Sequence, residues 1–246
     1  MLSRRTFLAG TCAFCATTRS GKAEDMRFGC SLPPDEFDKR FSQDSALQSG
    51  NSISNFGSGD PTFDQALAVT LLNLSNTFAV LPGFVFSDKV RLNAFASRNT
   101  ALGRSDGSVV FGRTLFREIM SRRENPEVGV VAVCAHEFGH ILQYRKGLQS
   151  KLIINGKVKR LELHADFLAG YFAGKRKLDS PRFPAAVFAT TQYSFGDNNY
   201  GSPDHHGTQK ERGDAVVAGF ETAYRLRLGV DDAVETGIRY VQSINV

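Results

Sequence analysis

Cysteine, histidine and net charge are all scarce in this chain of 246 residues, and it has neither a long apolar run nor an internal repeat. Of its 4 cysteines, Cys12 and Cys15 fall in the first 23 residues, so only Cys30 and Cys134 belong to the body of the protein. Cys134 reads as a small buried apolar residue rather than as half of a bridge to Cys30. The formal net charge is +5, but Arg4, Arg5, Arg19 and Lys22 crowd the N-terminus. Removing those four from 30 basic residues leaves 26 against 25 acidic ones, a balance of +1. No basic excess remains to recruit nucleic acid, and that partner class is excluded. The first apolar run is too short to span a bilayer, so no stable membrane insertion is expected after processing. What is present, 41% apolar residues over this length, suits one sizeable globular domain.

The opening segment, SRRTFLAGTCAFCATTRSGKA, pairs Arg4 with Arg5, follows with Phe7 and Leu8, and continues as a weakly apolar run rich in Ala, Thr and Gly. It resembles a twin-arginine export signal, with cleavage expected after Ala23. That implies the twin-arginine export machinery as a partner and a periplasmic or extracellular location. Residues 24–60 are polar and rich in Gly, Ser, Asp and Asn, and read as a loop-rich lead-in. Residues 61–246 read as the functional domain.

Within that domain, Asp60 and Pro61 carry the signals of a helix N-cap and first turn. PGFVFSD, LNAFASR and GSVVFGR are short, rich in Phe and Val, and bounded by turn residues, which predicts three strands. TLFREIMSRR predicts a short amphipathic helix. From Pro126, VGVVAVCAHEFGHIL is apolar nearly all round, which marks a buried helix. Asn155-Gly156 between two short runs predicts a tight β-hairpin. Helices are expected over RLELHADFLAGYFAGK, over 181–193, from Thr208 with Glu211 as a capping box, and over DDAVETGIRYVQSI. Strands followed by helices give an α+β fold.

The chemistry is concentrated in VCAHEFGHIL. On a helix, His136 and His140 lie one turn apart on one face, the H-E-x-x-H spacing that binds Zn²⁺ and places Glu137 beside it as a base. With 5 histidines in 246 residues, about 0.004 such matches arise by chance. Burying two imidazoles and a carboxylate without partners is costly, and a metal supplies the partner. Glu162 is the leading third ligand. Asp166, one turn further along, is placed to accept a hydrogen bond from a ligating histidine, and the Ala165–Ala169–Ala173 stripe allows close helix contact. His164, about 200° around the helix from Glu162, is a rival ligand, as are His205 and His206.

Three blocks, HEFGHILQ, LELHADFLAGYFA and GDNNYGSPDHHGTQKERGDAVVAGFE, resemble in order those of the bacterial neutral zinc metallopeptidase family, a gluzincin group. LNAFASR is similar to the edge strand of thermolysin and of the CAAX-processing zinc proteases. The resemblance implies a zincin-like fold with a small N-terminal sheet and edge strand, followed by a helical region that carries the metal site. It implies His136, His140 and Glu162 as ligands, Asp166 behind them, Asn93 and Ala94 on the substrate strand, and His206 near the oxyanion. Gly207 departs from the proline usual in the CAAX-processing enzymes. Two histidines and one glutamate leave a fourth zinc position open, the catalytic pattern. The expected function is a zinc-dependent peptidase, an endopeptidase acting on peptide or protein substrates, with Glu137 as general base. The alternatives are a zinc-binding interaction protein without turnover, and an amidase on a cell-wall peptide.

Overall fold

A computed structural model describes residues 57–90, 92–100 and 106–245. The export segment, Cys30 and nearly all of the lead-in lie outside the described residues. The first helix, α1 (Pro61–Phe78), starts where Asp60 accepts hydrogen bonds from the main-chain N–H groups of Thr62 and Phe63, a cap worth about 1 kcal/mol. It buries Leu67, Leu74 and Phe78. The strands β1 (Gly83–Ser87), β2 (Ala94–Ser97) and β3 (Ser108–Gly112) form one sheet in the order β1-β3-β2. β1 runs parallel to β3 with Gly83 opposite Ser108, and β2 runs antiparallel with Ala94 opposite Phe111. The central strand is buried along its whole length and passes directly into α2 (Arg113–Met120).

Two long helices hold the centre, α3 (Pro126–Arg145) and α5 (Lys159–Asp179). Pro126 starts α3 after Asn125, which adopts left-handed φ 45°. Every residue from Val133 to Gln143 is buried, as the all-round apolar pattern requires. Between them the Asn155-Gly156 turn is present, with φ of 53° and 76°, the signs a type I′ turn needs. The hairpin is not. It shrinks to a single bridge, Ile154 to Lys157, because α4 (Gln149–Leu152) takes the residues before it and α5 those after it. α6 (Ala186–Ser194) starts later than its pattern suggests; α7 (Gln209–Tyr224) carries the Thr208–Glu211 capping box, and α8 (Val230–Gln242) follows. The described fold is α+β, eight helices with one small sheet. Among the described residues no helix is long and apolar enough to cross a membrane.

Glycine sets how closely the helices approach. A Cβ on Gly139 of α3 would lie 3.3 Å from the main chain of Ala165 on α5. The α5–α7 pair is tighter still. A Cβ at Gly170 would overlap the Val216 carbonyl, and one at Gly219 would overlap that of Phe167. Backbone therefore meets backbone at this crossing, and side chains at its end reach across from one helix to the other.

Candidate metal centre

His136 and His140, one turn apart on α3, place their rings edge to face with centroids 4.7 Å apart and their Nε2 atoms 3.1 Å apart. Glu162, in the first turn of α5, sets Oε2 at 3.4 Å from His136 Nε2 and Oε1 at 3.5 Å from His140 Nε2. All three side chains are buried. One ligand atom from each lies within 4.8 Å of the others, an arrangement that can hold a metal ion.

The surrounding hydrogen bonds decide what those atoms offer. Asp166 Oδ1 accepts from His136 Nδ1 at 2.7 Å. Asp166 is itself held by Arg212, whose Nε and Nη2 donate at 2.8 and 2.9 Å. Burial raises the Asp166 carboxyl, but the Arg212 charge and the hydrogen bonds from His136 and Arg212 outweigh it and hold it below the usual range. His136 Nδ1 therefore carries the proton. On the other side, Gln143 Nε2 donates to the Leu161 carbonyl at 2.8 Å, which turns its Oε1 toward His140 Nδ1, also at 2.8 Å. An amide oxygen only accepts, so His140 Nδ1 is protonated as well. Both Nε2 atoms then present lone pairs to one another and to the Glu162 oxygens, neither of which receives a hydrogen bond. Burial pushes Glu162 up, while the imidazoles of His140, His206 and His136 pull it well below the ordinary carboxylate range, so it stays an anion. Two ring nitrogens and two carboxylate oxygens thus converge in a buried pocket, an arrangement that a metal ion can bridge.

His164 faces away from this cluster. Its Nδ1 accepts from Gln143 Nε2 at 3.0 Å and its Nε2–H donates to the Val234 carbonyl of α8 at 3.2 Å. Burial holds it neutral, with a pKa of about 4. His205 is likewise turned elsewhere, its Nδ1–H donating to Asp197 Oδ1 at 2.6 Å. His206 is buried, and its main-chain N–H donates to Asp197 Oδ2 at 3.2 Å. Burial lowers its pKa, with Arg212 and His136 acting the same way against the Glu162 and Asp197 charges, so the ring is held neutral. Cys134 lies in the apolar core as an unbridged thiol that burial pushes far above its usual range.

Glu137 is fully buried and lines, with His136, Asn93, Ala94 and Arg212, a cavity of about 20 Å³, room for about one water molecule. The fold thus gathers His136, His140, Glu162 and Asp166 in one contact set, and Glu137, Asn93 and Ala94 around the adjoining cavity. Comparison with protein-family models, curated proteins and solved structures finds no match. Gln143 and Arg212 are the functional neighbours that sequence reasoning missed. Gln143 sits three residues after His140 on the same helix, a spacing that brings side chains together. Arg212 has no local signal, because its partner lies on another helix.

Proposed function

We propose that this chain is a zinc-dependent peptidase of zincin-like, gluzincin type. The convergence of two Nε2 lone pairs and an undonated carboxylate in a buried pocket carries the reading. His136, His140 and Glu162 are the ligands, and this borderline nitrogen and oxygen donor set suits zinc. When bound, zinc supplies a Lewis acid that polarises the scissile carbonyl and lowers the pKa of water toward about 7. Glu137 takes the proton of a water held in the adjoining cavity and passes it to the leaving amine. His206 donates a ring N–H to the developing oxyanion. The main chain at Asn93 and Ala94 pairs with an extended peptide as an added strand. Asp166 and Arg212 keep the His136 proton on Nδ1 throughout.

Metal analysis of the native protein is expected to give about one zinc per chain. Glu137→Gln keeps that zinc and loses cleavage of casein, which chelation also abolishes in the parent protein. A native protein that neither contains nor takes up zinc would sink the proposal, and a Glu137→Gln variant with parental turnover would remove Glu137 from the base role. The reading includes export through the twin-arginine route, motivated by Arg4 and Arg5 ahead of a weakly apolar run. Changing both to lysine should strand the precursor in the cytoplasm, and undiminished mature protein outside it would refute that route.

A further inference from the structure

A second cavity, of about 330 Å³, opens at the start of α5, lined by Lys157, Lys159, Tyr200, Ser202, His205 and Asn245. None of these side chains is a carboxylate, and Lys157, Lys159, Tyr200, Ser202 and Asn245 each carry a hydrogen-bond donor. Lys159 Nζ already contacts Glu211 Oε1 at 2.7 Å and the Asn245 carbonyl at 2.9 Å, which leaves one N–H. Lys157 makes no ion pair among the described residues. His205 is only 5% exposed, and with Nδ1 committed to Asp197 its Nε2 has no hydrogen-bond partner. Leaving such a buried atom unmatched costs about 1–3 kcal/mol. In addition, α5 starts without a side-chain cap, so its first turn adds positive partial charge at the same place.

We propose that this cavity binds a small oxyanion of the phosphate or carboxylate type, held by Lys157, the remaining N–H of Lys159 and the Tyr200 and Ser202 hydroxyls, with His205 Nε2 on the same wall as an acceptor for a ligand O–H. The volume matches the lower end of small-molecule sites. His205 then donates from Nδ1 to Asp197 and accepts at Nε2 from the ligand. Asp197 also receives the His206 main-chain N–H, so one carboxylate touches both neighbouring histidines. The inference does not rest on the peptidase reading.

The test titrates the full chain with inorganic phosphate and, separately, with acetate, followed by calorimetry and by the His205 ring resonances. Saturable binding that shifts His205 Nε2 is expected, weakened at least about tenfold by Lys157→Ala and by His205→Asn, the loss that follows from removing a charge-assisted contact. Tighter phosphate binding assigns a phosphoryl ligand, and tighter acetate binding a carboxylate. The same titrations on chelator-treated protein are expected to be unchanged, which separates this site from an anion bound at the metal. Absence of saturable binding by either probe, binding unaltered in the variants, or binding lost with the metal would each overturn the site. Should His205→Asn fail to fold, Lys157→Ala decides alone, since its side chain makes no ion pair in the described fold.

Discussion

Gln143→Leu removes the side chain on which the His140 tautomer depends while keeping its bulk. Three hydrogen bonds disappear at once, those to His140 Nδ1, to the Leu161 carbonyl and to His164 Nδ1. Gln143 has no exposed surface, so water does not replace it. Two imidazole nitrogens lose their partner, and at about 1–3 kcal/mol for each buried group left unsatisfied the metal-free protein should lose about 2–6 kcal/mol. The same change frees His140 to move its proton to Nε2, the atom that faces His136 and Glu162. Zinc affinity should therefore fall about 10–100-fold, the usual consequence of removing the group that orients a ligating histidine. Urea unfolding of the metal-free protein measures the first quantity, with an unchanged slope showing that only stability moved. A competitive zinc titration measures the second, and nitrogen NMR reads the His140 tautomer directly. Gln143→Glu is the informative partner: it keeps an acceptor for His140 but sets a carboxylate against the Leu161 carbonyl and His164 Nδ1, so stability should drop while the Nδ1–H tautomer survives. Unchanged stability together with zinc affinity within threefold of the parent for Gln143→Leu would refute the argument that this amide sets the ligand's tautomer.

Glu162→Ala should abolish or greatly weaken zinc binding, whereas His164→Ala should leave it within a few-fold; the opposite pattern in a zinc titration would make His164 the ligand. Asp166→Ala takes the carboxylate away from buried Arg212, which keeps its bonds to Gln192 Oε1 and the Phe195 carbonyl, and should cost about 3 kcal/mol of stability, besides lowering zinc affinity. For His164 the native pKa of about 4 lies below the reference value of 6.5, so the unfolded chain binds the proton first as pH falls. The stability it contributes is complete above about pH 6.5 and is lost as pH drops toward 4, about 3 kcal/mol in all. His164→Asn should flatten that part of the stability profile of the metal-free protein, and an unaltered slope would show that the ring is not held neutral. Gly219→Ala forces a methyl group into the Phe167 carbonyl and should destabilise the protein by about 3 kcal/mol or more; a thermal midpoint equal to that of the parent would mean that the α5–α7 crossing is looser than described.

Much of the candidate metal centre is written locally. His136 and His140 must share a face wherever their segment is helical, because four residues make about one turn, and Glu162 with Asp166 repeats the logic on α5. The caps at Asp60 and at Thr208–Glu211 are equally local, each a side chain reaching main-chain N–H groups two or three residues away. The three strands also follow from their own composition. The pairing of β1 with β3 in parallel, with β2 outside, does not, since register and order come from contacts between segments. Nor did the Asn155-Gly156 signal decide a hairpin: the turn formed with a single bridge, but α4 and α5 take the flanking residues. Only the tertiary structure decided that His164 and Gln143 support the site from behind, that Arg212 locks Asp166, and that Lys157, Tyr200 and His205 share a cavity. The physical reason is range. Spacing along one helix determines which side chains stand together on it, but which faces meet depends on how closely the helices pack, and here glycines at Gly139, Gly170 and Gly219 set that distance.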